Sequence, residues 1–196
     1  MRRVRFSTIA DVFASYPALS GSVSATPSEE EPIAFLERLV RAGAVEDAVE
    51  IAPFVLPRRE AVWWACRCVA AARAPVGADR QAWDLAAAWV ARPEEKRRLA
   101  ALAFGQSADD GRPATWLALA AAWTGGTLEP NDHVQIPTPP DLAAKAAVTA
   151  VKFAAAEMAD DARRTYLERC VSTALAVARD EGDVGDEVLH TVKARG

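Results

Sequence analysis

The chain has 196 residues, 51% hydrophobic and 26% charged, an ordinary globular composition long enough for one domain that buries a core without disulfide or metal staples. Its 27 acidic and 23 basic residues leave a net charge of -4, which supplies no field to draw in nucleic acid or an anionic membrane. No run approaches the roughly 20 apolar residues of a membrane span, and the start MRRVRFSTIADVF lacks the apolar stretch of a signal peptide, so a cytoplasmic protein is expected.

Along the chain, Arg2 to Phe6 alternates polar and apolar residues, as an extended arm docking Val4 and Phe6 would. Ser7 reads as the cap of a helix through Ile9, Val12 and Phe13 to Tyr16, which Pro17 ends. Residues 18–32 are rich in Ser, Gly, Thr and Pro, carry Glu29-Glu30-Glu31, and read as a flexible connection. Pro32 then opens a helix with Ile33, Leu36, Leu39 and Val40 on one face, closed by Gly43. Val45, Ala48, Val49 and Ala52 repeat that spacing in a helix expected to stop at Pro53, with 53–57 crossing the core in an irregular conformation.

Pro57 suits the first turn of a helix reaching Arg73. With Ala61, Val62, Trp63, Ala65, Cys66, Val69 and Ala70 it is apolar nearly all round, as a helix at the centre of a bundle must be. Helices follow over 79–91, 93–104 and 113–123, the last stopped by Gly125-Gly126. Residues 124–141 hold Pro130, Pro137, Pro139 and Pro140 and form a proline-rich loop. Two long helices over about 141–158 and 161–178, and a short one over 186–193, complete an all-α fold. The chain reads as a single domain, 1–196, a compact bundle of antiparallel helical hairpins. Leu85-Ala86-Ala87-Ala88-Trp89 recurs 34 residues on as Leu119-Ala120-Ala121-Ala122-Trp123, but the rest of a tetratricopeptide pattern is missing, so the echo is read as coincidence in an alanine-rich chain.

Catalytic and metal-binding patterns are not evident. His133 and His190 stand alone, Cys66 and Cys68 point to nearly opposite faces of one helix, and there is no phosphate loop, H-E-x-x-H or nucleophile elbow. No catalytic residue, metal or cofactor is expected. All six tryptophans fall between residues 63 and 123, two on each of three helices, set among alanines that let backbones approach. That favours a dense core.

The stretch PRREAVWWACRC, 57–68, allows two readings. Arg59, Trp63 and Arg67 recur at i+4, with Glu60 and Trp64 on a parallel stripe, so an arginine can stack on an indole and be held by Glu60. Buried, this is a polar latch over the proline-rich crossing; open, it is an Arg and Trp surface that anchors a partner. The candidate partner-binding residues are therefore Arg58, Arg59, Glu60, Trp63, Trp64 and Arg67, with Leu128, His133, Ile136 and Pro137 from the proline-rich loop.

The run LPRREAVWWAC at 56–66, PATWLALAAAWTGG at 113–126 and IPTPP at 136–140, with RVRFST at 3–8 and ATP at 25–27, resembles an uncharacterised bacterial family, a domain of unknown function. The resemblance implies a neighbourhood beside type VI secretion genes and no catalytic residues. Together these readings point to a non-catalytic interaction protein, a cytoplasmic adaptor or accessory chaperone of a secretion component or cargo. The alternative is a small-ligand binder or enzyme that uses a pocket lined by Trp and Arg.

Overall fold

The computed structural model describes residues 3–128, 136–156 and 158–180. The helix expected over 186–193, together with His133 and His190, lies outside the described residues. Nine α-helices are present among those described, joined by one short 3-10 turn. The fold is all-α, as the spacing of apolar residues predicts.

An extended arm comes first. Its Arg3 and Arg5 amides donate to the carbonyls of Ala178 and Val55, and Val4 and Phe6 pack on the core. Helix α1 (Ile9–Ser15) is capped by Thr8 rather than Ser7: the Thr8 hydroxyl accepts from the Asp11 amide while the Asp11 carboxylate accepts from the Thr8 amide. A 3-10 turn (Pro17–Gly21) buries Leu19. The stretch read as a flexible connection is instead tied down at several points. The Ser24 amide donates to the Asp47 carboxylate, the Ala10 and Ile9 amides donate to the carbonyls of Ser28 and Glu30, and Glu30 pairs with Arg38 at 2.9 Å. Its polarity supplies bonding groups rather than slack.

Helices α2 (Pro32–Arg41) and α3 (Val45–Val55) form a hairpin turned at Gly43, where φ is +78°. Pro53 does not stop α3. It sits near the end of the helix, forgoes only the bond back to Val49, and lies in a fully buried run from Ile51 to Leu56 whose packing holds the last turn. The segment expected to cross the core does so as helix.

Helix α4 (Arg58–Ala72) packs against the helices before and after it, including α5 (Gly77–Ala91), α8 (Leu142–Ala156) and α9 (Asp160–Ala178). Helix α6 (Glu95–Ser107) leads into α7 (Pro113–Ala122), whose residues are buried from Ala114 onward except Trp116. Small side chains permit this. A Cβ added at Gly105 would lie 2.5 Å from the Leu119 side chain, so α6 makes room for that leucine of α7 by having no side chain at the contact. Among the described residues of the proline-rich loop, Thr127 and Pro137 form an isolated antiparallel bridge, reinforced by bonds from Leu128 to Ile136 and from Thr138 to Gly126.

Candidate functional site

The start of α4 is a closure of the core. Trp64 is fully buried and its Nε1 donates to the Cys170 carbonyl at 2.8 Å. Trp63 is 2% exposed, and its ring meets Trp83, whose Nε1 donates to the Cys66 carbonyl at 2.9 Å. Adjacent indoles point about 100° apart on a helix, and here each finds core on its own side because α4 is surrounded. Neither tryptophan presents a surface to a partner. Each buried indole removes roughly 200 Å² from water, on the order of 5 kcal/mol gross.

The arginines are engaged with the ends of other helices. Arg58 donates to the Thr124 carbonyl at 2.8 Å, just past α7, and Arg59 donates to the Val90 carbonyl at 2.7 Å, in the last turn of α5. Helix C-termini leave carbonyls without intrahelical donors and carry partial negative charge, so guanidinium groups satisfy them twice over. Glu60 does not hold Arg59; it is buried and lies 3.6 Å from Arg3 of the N-terminal arm, which also pairs with Asp180 at 2.6 Å. Arg67 is half-buried one turn beyond Trp63. Among the described residues, arginines lie over the rings of Phe6 and Tyr16 (Arg5) and of Phe35 (Arg38).

The loop candidates are separate from this closure's interior. Leu128 is half-buried, and Ile136 and Pro137 are exposed at the bridged neck of the loop. His133 lies outside the described residues. Arg98 was not singled out by the sequence reading, yet it is the most deeply placed cation described. It is 4% exposed, donates to the Ala122 carbonyl at 2.9 Å and forks onto Glu95 at 2.6 and 2.8 Å. Gly126, at φ +67°, passes against it: a Cβ there would lie 2.4 Å from the Arg98 guanidinium.

At the other end of α4 lies an open cleft of about 420 Å³. Val69, Ala72 and Arg73 of α4 and the following turn form one wall, Gly111 to Ala114 a second, and Phe153, Ala156 and Met158 a third. Arg112 and Asp79 clip two of the walls together through two contacts, at 2.9 and 3.0 Å. Phe153 is 40% exposed at the rim and stacks on Trp116, with centroids 6.2 Å apart and planes 23° from parallel. Trp116 in turn meets Trp123 edge-on at 6.3 Å, and its Nε1 donates to the Asp110 carbonyl at 2.7 Å. An aromatic row thus runs from α7 to the rim of the cleft.

A model of a family of unknown function, DUF6931, matches residues 35–178. The chain belongs to that family. No curated protein and no solved structure matches it. The DUF6931 region runs from within α2 to the end of α9 and includes both the α4 closure and the cleft, while the N-terminal arm and the ATP stretch included in the sequence resemblance lie outside it.

A sequence signal for the cleft exists at Phe153. On the solvent side of α8, Lys145 and Lys152 are exposed and Thr149 is half-buried, and Phe153 is the large apolar residue among them. Trp116 and Trp123, seven apart, announce a shared face. What hides the site is that its walls come from three separate connections.

Proposed function

We propose that this DUF6931 protein is a non-catalytic interaction module whose partner docks on the aromatic face formed by Trp116 and Phe153 beside the cleft. The observation that carries the reading is Phe153: a large aromatic side chain, half in water, stacked on a second aromatic at the edge of a concave surface. Buried aromatic anchors in concave surfaces dominate binding energy at interfaces. In this reading the protein works in the cytoplasm as an adaptor or accessory chaperone. The type VI secretion apparatus implied by the sequence resemblance is the first assembly in which to seek the partner.

A small-molecule occupant is the second reading, favoured by the cleft volume of about 420 Å³, which falls within the range of ligand sites. Beside Arg59, Glu60 and Arg67, the indoles Trp63 and Trp64 are buried, which favours the cleft over that surface for such an occupant.

The test is affinity purification from native cells of the tagged wild type beside Phe153→Ser, with quantitative mass spectrometry of what is retained. Phe153→Ser removes a side chain that is 40% exposed and stacked on Trp116, at an expected cost of about 1–3 kcal/mol, and urea unfolding checks that the variant stays folded. Proteins reproducibly enriched by the wild type and lost from the variant are the expected result. Equal recovery by both proteins contradicts the reading.

A further inference from the structure

The turn that walls the cleft has unused bonding capacity of a kind that selects its occupant. After α4 ends, Arg73 and residues 74–76 run extended into α5, with Arg73, Ala74 and Val76 exposed. Among the described residues, the amides of Ala74 and Val76 donate no hydrogen bond. Pro75 has no amide to donate and fixes its own backbone angle, which holds the strip open rather than letting it coil into either helix. In a protein built of helices, this is a short exposed edge facing a groove. Exposed edges pair with extended segments of other chains.

Charge narrows the choice. Arg112 is matched by Asp79, while the Arg73 side chain makes no ion pair or hydrogen bond among the described residues, so the described charged residues that line the cleft, Arg73, Asp79 and Arg112, sum to one net positive charge. The whole chain carries -4. A cationic rim on an anionic molecule attracts an acidic group at short range, where screening is weakest. The apolar part of the cleft's lining includes Val69, Phe153 and Met158.

We infer that the cleft takes an extended acidic segment of a partner protein, with an apolar side chain on Phe153 and Met158, a carboxylate on Arg73, and backbone bonds to the 73–76 strip. The inference rests on the docking reading above and names the chemistry of the partner.

The probes are two fluorescein-labelled peptides of about eight residues, enough for an extended segment to cross the groove, alternating Leu or Phe with Glu in one and with Gln in the other. Their binding to the full chain is followed by fluorescence anisotropy at low and physiological salt. The Glu peptide is expected to bind about threefold or more tightly than the Gln peptide at low salt, the scale of one exposed ion pair. Arg73→Ala should erase that difference, added salt should shrink it, and Phe153→Ser should weaken both peptides. Equal affinities that remain sensitive to Phe153→Ser overturn the acidic preference and leave the docking face in place. Binding of neither peptide, or binding indifferent to Phe153→Ser, overturns the inference, and the affinity purification then judges the docking reading by itself.

Discussion

Trp63 and Trp64 are neighbours in the chain, equally buried, and differ in one hydrogen bond. The Trp64 Nε1 has the Cys170 carbonyl, whereas the Trp63 Nε1 is buried with no partner among the described residues. Replacing each by Phe removes similar volume, but Trp64→Phe also loses a buried hydrogen bond, whereas Trp63→Phe removes a buried donor that has no partner among the described residues. Trp64→Phe should therefore cost about 1–2 kcal/mol more than Trp63→Phe in urea unfolding, and equal losses would refute the distinction. The thiols beneath them make a second residue-scale prediction. Burial holds Cys66 and Cys68 far above the ordinary thiol value of 9.0, so the folded chain keeps their protons where the unfolded chain releases them. The unfolded state then binds fewer protons, and stability falls as pH rises above about 9; below that pH both states are protonated and the thiols contribute nothing. Melting temperature should drop between about pH 9 and 10.5, less steeply for Cys66→Ala than for the wild type. Parallel slopes would contradict this.

Among elements, the helix ends are where the chain spends its arginines. Arg58, Arg59 and Arg98 reach the C-terminal turns or exits of α7 and α5, and Arg163 donates to the carbonyls of Ala155, Ala156 and Met158 where α8 stops. Arg98→Ala abandons the Ala122 carbonyl and the Glu95 fork together and should cost about 3 kcal/mol, and Arg59→Ala about 2 kcal/mol. Arg97→Ala, which removes only an exposed pair with Glu94, should stay near 0.5 kcal/mol. Comparable losses at all three positions would remove the capping account. These contacts also show where sequence reading stops. Helix positions were legible because Pro32, Pro57 and Pro113 start helices and apolar residues recur at helical spacing between them. Arg98 is not legible in this way, because nothing local distinguishes an arginine that turns inward to another helix's carbonyl. Pro53 reads as a stop because its local cost is visible in the sequence and the packing that offsets it is not.

For the whole molecule, the bundle has two ends of different character. One end, at the start of α4, is closed by cations on helix C-termini and by the N-terminal arm lying between Val55 and Ala178. The other has an extended turn, a clipped loop and an aromatic row around a cleft. The same PRREAVWWACRC stretch that draws the eye to the first end as a binding surface is what builds the core that positions the second. Trp63 and Trp64 fix α4 among its neighbours, and Arg73, fifteen residues after Arg58, emerges at the far end of that helix beside the cleft. The composition of α4 tells of burial but not of which end stays open, since that depends on how the 73–76 and 108–112 connections meet the end of α8.

Hydrogen exchange of the protein alone and with its purified partner tests this division most directly. Exchange should slow on binding at the amides of residues 73–76 and 109–115 and at the end of α8, while residues 56–60 and 124–128 stay unchanged. Slowing at 56–60 and 124–128, with the cleft segments unaffected, would place the partner on the arginine closure and contradict the account.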